Sequence, residues 1–288
     1  MRTDPEKDRL VIVGAGVMGT GIAAMALGYG ASVVLVDIAD AILAHARARI
    51  ERQLRLGQLM VAFPAGRAAG ALTTTTSMAA ARGAIAVIEA VAEDAAAKAK
   101  VLSELSSIVV AGTPLISNTS SIPIEELART VERPADFIGV HFMNPAYLVA
   151  MAELIPGPQT GGATVEAVAL LLERLGRRAV VVRDAPGFVT SRLLHPMINE
   201  AARIVGAGTA TVEAVDKLME GCLGHPTGPL RTADLIGLDN LADSLRVLSE
   251  RTGNDNYWPC ELLLSKVAEG NLGRKSGRGF YEYGEALS

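Results

Sequence analysis

The feature that most constrains the fold is a glycine-rich turn placed between an apolar run and a helix of small residues. Residues 10–13 are apolar, and three glycines follow them at the spacing Gly-x-Gly-x-x-Gly. Such a turn directs the backbone N–H groups of a helix N-terminus toward a pyrophosphate. The sequence therefore predicts a strand, a tight turn and a helix that together bind a dinucleotide. We expect the dinucleotide to lie along five residues of the turn, which are Gly14, Gly16, Val17, Met18 and Gly19.

A carboxylate at the end of the next predicted strand indicates which dinucleotide binds. Residues 31–36 form a second β-rich run, and Asp37 follows them directly. A carboxylate at this place accepts hydrogen bonds from the adenosine ribose. It also repels the 2′-phosphate that distinguishes NADP from NAD. We therefore expect NAD as the cofactor.

Length, composition and charge favour a globular protein of two domains and exclude several other classes. The chain has 288 residues, of which 50% are hydrophobic and 20% are charged, so it can bury a large core. Lys and Arg number 27 against 31 Asp and Glu, without a basic block, so we expect no nucleic-acid partner. The two cysteines, Cys222 and Cys260, are far apart in the sequence and form no Cys-x-x-Cys motif. We expect neither a disulfide framework nor a metal site.

The distribution of apolar residues indicates a protein that acts outside the membrane. Apolar runs are interrupted by Gly, Asp or Glu well before the roughly 20 residues that a membrane span requires. Residues 1–9 alternate in charge and lack the apolar stretch of a signal peptide. We therefore expect no membrane partner and a cytoplasmic location.

Strand-like and helix-like segments alternate as far as residue 185, and only helix-like segments follow. The predicted strands lie at 10–13, 31–36, 84–89, 114–117, 137–141 and 179–182, and residues 61–77 are predicted to form a connector and a short strand. The later helical segments lie at 191–205, 211–218, 232–251 and 257–269. This alternation is typical of a doubly wound, mostly parallel sheet. We predict an α/β fold, with an N-terminal Rossmann-type NAD-binding domain in residues 1–185 and a C-terminal all-α domain in residues 186–288.

A histidine and a glutamate near predicted strand ends form a candidate acid–base pair. His141 ends one predicted strand, and Glu153 follows it in the next segment. An imidazole can accept the proton of an alcohol while hydride leaves for a nicotinamide, and a carboxylate can orient that imidazole. From these residues alone, the two positions are explained equally well by a histidine in the core and a glutamate on the surface, neither of which takes part in catalysis.

Six short motifs, in order along nearly the whole chain, resemble the L-3-hydroxyacyl-CoA dehydrogenases, including the 3-hydroxybutyryl-CoA dehydrogenases. They lie at residues 14–23, 88–93, 117–121, 141–145, 184–189 and 275–281. The resemblance implies an NAD-dependent enzyme that transfers hydride between NAD and C3 of a 3-hydroxyacyl thioester. It also implies a homodimer that pairs through a helical second domain, which contributes to substrate binding.

The resemblance assigns roles to individual residues. It implies that His141 is the catalytic base, that Glu153 is its carboxylate partner, and that the hydroxyl of Ser120 holds the substrate oxygen. The positions that match NAD contacts of the family are Asp37, Glu93, Lys98, Asn144 and Lys275.

Two departures from the family pattern affect the expected substrate site. Ser191 stands where the family usually has an asparagine that helps to bind the substrate carbonyl. Serine also has a hydrogen-bond donor, on a shorter side chain than asparagine, so it could donate to an acyl oxygen directly or through water. Residues 61–70 also lack the lysines that many relatives have near the coenzyme A nucleotide, and Arg67 is the basic residue there.

Three alternatives stay open. These departures, with residues 221–239, resemble a family branch of polyketide extender-unit assembly, in which a glyceryl group on an acyl carrier protein is oxidised toward a hydroxymalonyl group. A dehydrogenase of free hydroxy acids would need a basic residue at the carboxylate, which Arg192 or Arg231 could supply. A non-catalytic NAD-binding structural protein would be favoured by loss of His141 or Glu153, and both are present.

Overall fold

The computed structural model describes residues 9–284 of the chain. The residues group into two compact units, Met1–Ala185 and Pro186–Ser288. The signal-peptide expectation rests on residues 1–9, most of which lie outside the described part. Among the described residues, no helix is long and apolar enough to cross a membrane.

An eight-stranded sheet forms the centre of the first unit. Its strands are β1 (Arg9–Val13), β2 (Ser32–Val36), β3 (Leu72–Thr75), β4 (Ala86–Glu89), β5 (Leu115–Ser117), β6 (Phe137–Phe142), β7 (Met151–Ile155) and β8 (Arg178–Val181). Their spatial order is β3-β2-β1-β4-β5-β6-β7-β8. All neighbours are parallel except β6 and β7. The predicted doubly wound α/β fold is confirmed.

Helices join the strands and cover the sheet. In the first unit they are α1 (Val17–Gly28), α2 (Asp40–Leu59), α3 (Ala95–Ile108), α4 (Ile124–Ala128) and α5 (Gly162–Arg174). The order of strands reverses between β1 and β4, where the connections leave in opposite directions. In open parallel sheets, ligands bind at the carboxyl ends of the strands beside such a reversal. This edge of the sheet is therefore where a cofactor site is expected.

The core explains why the first helix consists of small residues. The strand residues of β1 are almost completely buried, as are most residues of α1. A side chain on Gly19 would overlap the carbonyl oxygen of Gly14, so only glycine lets the helix start this close to the turn. Gly14 itself has a φ of 103°, which other residues rarely adopt.

β7 is the strand that the sequence analysis did not predict. Its sequence, Met-Ala-Glu-Leu-Ile, has one β-branched residue and places a glutamate in a buried stretch. A buried carboxylate opposes the usual apolar pattern of a strand. Its pairing with β6 on one side and β8 on the other explains why this segment is extended.

The second unit is helical, as the sequence predicts. Its helices are α6 (Thr190–Gly206), α7 (Val212–Leu223), α8 (Pro229–Ile236), α9 (Leu238–Thr252) and α10 (Glu261–Ala268). The buried Asp234 accepts hydrogen bonds from the backbone N–H groups of Phe280 and Tyr281 and from the hydroxyl of Tyr283. This carboxylate ties the C-terminal segment to α8.

Candidate active site

Hydrogen bonds fix the glycine turn to the end of the neighbouring strand, β2. The N–H of Gly14 donates to the carbonyl of Val36, at the end of β2, at 2.8 Å. Asp37 follows β2, and its carboxylate accepts hydrogen bonds from Ala15 N at 2.6 Å and Ile38 N at 2.7 Å. The turn and the carboxylate thus form one rigid group at the edge of the sheet.

This group fits a dinucleotide. α1 begins at Val17 after Gly16, with Val17 and Met18 in its first turn and without an acidic residue there. A methyl group on Gly16 would meet no protein atom within 4 Å, so the space above the turn is open to a ligand. Free N–H groups at a helix start favour a pyrophosphate. The residues present are therefore suited to hold NAD.

The pairing of β6 with β7 brings His141 and Glu153 together. The two residues lie directly opposite each other in the antiparallel register. His141 Nδ1 lies 2.8 Å from Glu153 Oε2, and the residues are only 9% and 5% exposed. In the neutral imidazole, a proton on Nδ1 donates to the carboxylate, which leaves the Nε2 lone pair as the basic one. His141 therefore has the geometry of a general base whose imidazole is oriented by a carboxylate.

The segment after β5 forms a turn, residues 119–121, which we call the serine turn. One oxygen of Glu93, Oε1, accepts from the Thr119 hydroxyl at 2.6 Å and from the N–H groups of Ser120 and Ser121 at 2.7 and 3.0 Å. The hydroxyls of Ser120 and Ser121 lie farther away, at 3.2 and 3.1 Å. Five donors exceed what one oxygen can satisfy, so the longer contacts are the ones most easily given up.

Three further hydrogen bonds fix the residues on either side of the serine turn. Asn118 Oδ1 accepts from the N–H of Phe142, next to His141, at 3.1 Å. Asp184 accepts from Ile124 N at 2.8 Å and Glu125 N at 2.7 Å, at the start of α4. Burial raises the pKa of the Asp184 carboxyl above its usual value, despite these hydrogen bonds. The serine turn is therefore held from both sides.

Behind Glu93 lies a buried ion pair that the sequence analysis only partly anticipated. Lys98 Nζ lies 2.8 Å from Glu89 Oε1 and 3.3 Å from Glu93 Oε2. Sequence reasoning assigned Glu93 and Lys98 to the cofactor but missed Glu89 and its partner Ser117. The available signal was a carboxylate at the end of an apolar strand, which requires a buried partner.

The charges in this group shift each other's pKa. Burial alone would raise the pKa of Glu93, but the Lys98 ammonium and the hydrogen bonds of the serine turn outweigh it, and the pKa lies below the usual value. Burial would lower the pKa of Lys98, but Glu89 and Glu93 outweigh it and raise the pKa above the usual value. Glu93 and Lys98 are therefore both charged at neutral pH.

Lys98 and Asn144, two more residues predicted to contact the cofactor, differ in their exposure to solvent. Lys98 has no exposed side-chain surface, so its direct contact with NAD stays a prediction. Asn144 is exposed on the loop between β6 and β7, and the buried Arg177 holds that loop through the carbonyls of Ala146 and Val149. The described part of the chain contains no cluster of three or more His, Cys, Asp or Glu that could hold a metal ion.

Two predicted site residues lie in the second unit. Ser191 is 3% exposed and lies in the first turn of α6. Lys275 lies in a short 3-10 turn and forms an ion pair of 2.6 Å with Asp239, at the start of α9. The roles of both residues stay predictions.

The fold, the glycine turn and the oriented histidine define an NAD-binding oxidoreductase of the Rossmann class. A family model described as 3-hydroxyacyl-CoA dehydrogenase, NAD binding domain, matches residues 9–185. A model described as 3-hydroxyacyl-CoA dehydrogenase, C-terminal domain, matches residues 187–283. The chain belongs to the 3-hydroxyacyl-CoA dehydrogenase family, as the six sequence motifs indicate.

Individual relatives agree with this assignment over their full length. A probable 3-hydroxybutyryl-CoA dehydrogenase of Bacillus subtilis is 40% identical, over 98% of this chain and 100% of its own. The solved (S)-3-hydroxybutyryl-CoA dehydrogenase of Ralstonia eutropha is 38% identical, with a TM-score of 0.84 over 96% of this chain and 99% of its own. FadB2 of Mycobacterium tuberculosis is 39% identical over the same shares, with a TM-score of 0.90.

The position of Asp37 predicts the cofactor preference. We expect kcat/KM with NAD to exceed that with NADP by at least about tenfold, because the carboxylate opposes a 2′-phosphate. Asp37→Ala should lower kcat/KM with NAD and reduce this preference. Asp40→Asn, which neutralises an exposed carboxylate at the start of α2, is the matched control and should leave the preference unchanged. Equal specificity constants for the two cofactors in the wild type would contradict the prediction.

Proposed function

We propose that this protein is an NAD-dependent dehydrogenase that transfers hydride between NAD and C3 of a 3-hydroxyacyl thioester. The observation that carries the proposal is the hydrogen bond of 2.8 Å between His141 and Glu153, in the same unit as the glycine turn. The names of the relatives, which are 3-hydroxybutyryl-CoA dehydrogenases, support a short acyl chain on coenzyme A.

His141 carries the proton transfer in this proposal. Its Nε2 accepts the proton of the 3-hydroxyl group as the C3 hydrogen leaves with its electron pair and the C3–oxygen bond becomes a carbonyl. NAD, when bound, supplies the hydride acceptor. The imidazolium that forms keeps its Nδ1 proton on Glu153, whose negative charge stabilises it. In the reverse direction the imidazolium returns its proton to the carbonyl oxygen.

Ser120 positions the reacting oxygen. Its hydroxyl has one of the longest contacts with Glu93, at 3.2 Å, so it can exchange that contact for the substrate oxygen at little cost. Ser191 takes the place of the family's asparagine toward the acyl carbonyl. The residues that contact NAD, as their match to the family implies, are Asp37, Glu93, Lys98, Asn144 and Lys275.

The pair of His141 and Glu153 should behave as one catalytic unit. We expect His141→Ala to lower kcat by about 10³-fold and Glu153→Gln by about 10- to 100-fold. The double variant should be little slower than His141→Ala, because the carboxylate acts through the imidazole. The measurements are kcat in both directions and NADH affinity as the folding control.

Near-wild-type turnover in His141→Ala, with NADH affinity intact, would show that the base lies elsewhere. Strictly additive effects of the two substitutions would show that Glu153 acts independently of the imidazole.

A carrier-protein thioester is the second candidate substrate. Arg67, the basic residue of the segment 61–70, donates through Nη1 to the carbonyl of Tyr29 at 3.0 Å. One of its five N–H donors is thus engaged by backbone, and this segment offers only that single positive charge to the phosphates of coenzyme A. This observation favours a glyceryl group on an acyl carrier protein, which is also a 3-hydroxy thioester and needs the same base.

A substrate panel decides between these candidates. NADH formation or loss is measured with acetoacetyl-CoA, 3-hydroxybutyryl-CoA, a glyceryl group on an acyl carrier protein, and free 3-hydroxybutyrate. We expect kcat/KM for the coenzyme A thioesters to exceed that for the free acid by at least about 100-fold, because remote binding energy is lost with the carrier. Turnover confined to the carrier-bound glyceryl group would establish the second candidate. Equal turnover of the free acid would contradict a thioester substrate.

We further propose that two copies of the chain pair through the second unit, residues 186–288. Leu193 on α6 and Leu218 and Leu223 on α7 are 70%, 58% and 66% exposed. Apolar side chains of this size favour burial in an interface. Light scattering at micromolar concentration should report a dimer, and Leu218→Glu should weaken it. A wild-type monomer under these conditions would contradict the proposal.

A further inference from the structure

The ion pair between Glu89 and Lys98 is the most deeply buried pair of charges described in the molecule. Neither side chain has any exposed surface. Transferring two charges from water into a protein core is costly, and an apolar pair of similar volume often gives equal or greater stability. Stability of the fold alone therefore does not explain why a lysine and a glutamate occupy these positions.

Glu89 is held rigidly by the sheet. It is the last residue of β4, and its Oε1 accepts from the N–H of Val91 at 2.8 Å as well as from Lys98. Its Oε2 accepts from the hydroxyl of Ser117, at the end of β5, at 2.6 Å. Both oxygens thus have donors from neighbouring strand ends. Glu89 cannot move without disturbing β4 and β5.

Lys98 transmits this fixed position to Glu93. The ammonium lies between the two carboxylates, 2.8 Å from Glu89 and 3.3 Å from Glu93. The side chain of Glu93 is 32% exposed, so it is the outer member of the group. Its second oxygen holds the serine turn, residues 119–121, through two backbone N–H groups and the Thr119 hydroxyl.

We propose that Glu89 and Lys98 are positioning residues for the hydride-transfer reaction. Glu89 fixes the ammonium of Lys98, Lys98 fixes the carboxylate of Glu93, and Glu93 fixes the turn that presents Ser120. The catalytic consequence rests on the proposed function, in which Ser120 holds the reacting oxygen. In this arrangement Lys98 acts from behind the site and does not need to touch NAD.

The directions of the pKa shifts agree with this arrangement. The ammonium of Lys98 opposes the effect of burial on Glu93, whose pKa stays below its usual value. An ionised Glu93 can accept several hydrogen bonds, whereas a protonated one loses part of that capacity. Without the ammonium, Glu93 would hold the serine turn less firmly.

The test uses a pair of substitutions that removes both buried charges together. Lys98→Met alone would leave the carboxylate of Glu89 buried without a cation, which threatens folding. The double variant Glu89→Gln/Lys98→Met is neutral at both positions and keeps hydrogen-bonding capacity beside Ser117. Ser106→Ala is the matched control, because it removes the hydroxyl of a buried serine, with its two hydrogen bonds, from the far end of the same helix, α3. Thermal melting of each full-length variant checks that it folds.

Hydrogen exchange of the serine turn gives a readout that does not depend on activity. We expect the amides of Ser120 and Ser121 to exchange at least about tenfold faster in the double variant and in Glu93→Gln than in the wild type, because their acceptor is no longer held. Ser106→Ala should leave that exchange unchanged. Unchanged exchange in a folded double variant would overturn the proposal.

Turnover then tests the consequence for catalysis. We expect kcat of the double variant to fall by about tenfold or more, and this loss to be small in a Ser120→Ala background, because the residue being positioned is gone. An equal loss in both backgrounds would overturn the positioning of Ser120. Absence of thioester turnover in the wild type would instead refute the proposed function, while faster exchange in the variant would still support the structural link to the turn.

Discussion

Parallel pairing of the strands is the constraint on which the site depends. Because β1, β4, β5 and β6 run in the same direction, their carboxyl ends meet at one edge of the sheet. The glycine turn follows β1, Glu89 ends β4, the serine turn follows β5 and His141 lies near the end of β6. Groups separated by more than one hundred residues in sequence thus share one surface. No individual loop has to be long to bring them together.

The one antiparallel pair in the sheet has a separate consequence. β7 returns directly beside β6, so Glu153 lies opposite His141 on the same face. A shift of the register by one residue would turn Glu153 to the other face of the sheet. Arg177 stabilises the connection by donating to the carbonyls of Ala146 and Val149, and it therefore supports this register from outside the pair.

The sequence alone was sufficient for features that arise from local pattern. The glycine turn, the carboxylate of Asp37 and the alternation of strands and helices follow from spacing and hydrophobic periodicity. The pairing of His141 with Glu153 was predicted, but the strand β7 that produces it was not, because a buried glutamate has no local signature. The burial of Lys98 depends on Glu89 and on neighbouring strands, which only the folded chain brings together.

Asp37 and Glu93, the carboxylates proposed to contact NAD, are both held in place by backbone amides. Asp37 accepts from Ala15 and Ile38, and Glu93 accepts from Ser120 and Ser121. A carboxylate that is already ordered loses less conformational entropy when it binds a hydroxyl group. The same amides also occupy part of the hydrogen-bonding capacity of its oxygens. A ligand can therefore use only the capacity that remains. In the proposed function, these amides therefore keep both carboxylates ordered for NAD and limit how many hydrogen bonds each can add to it.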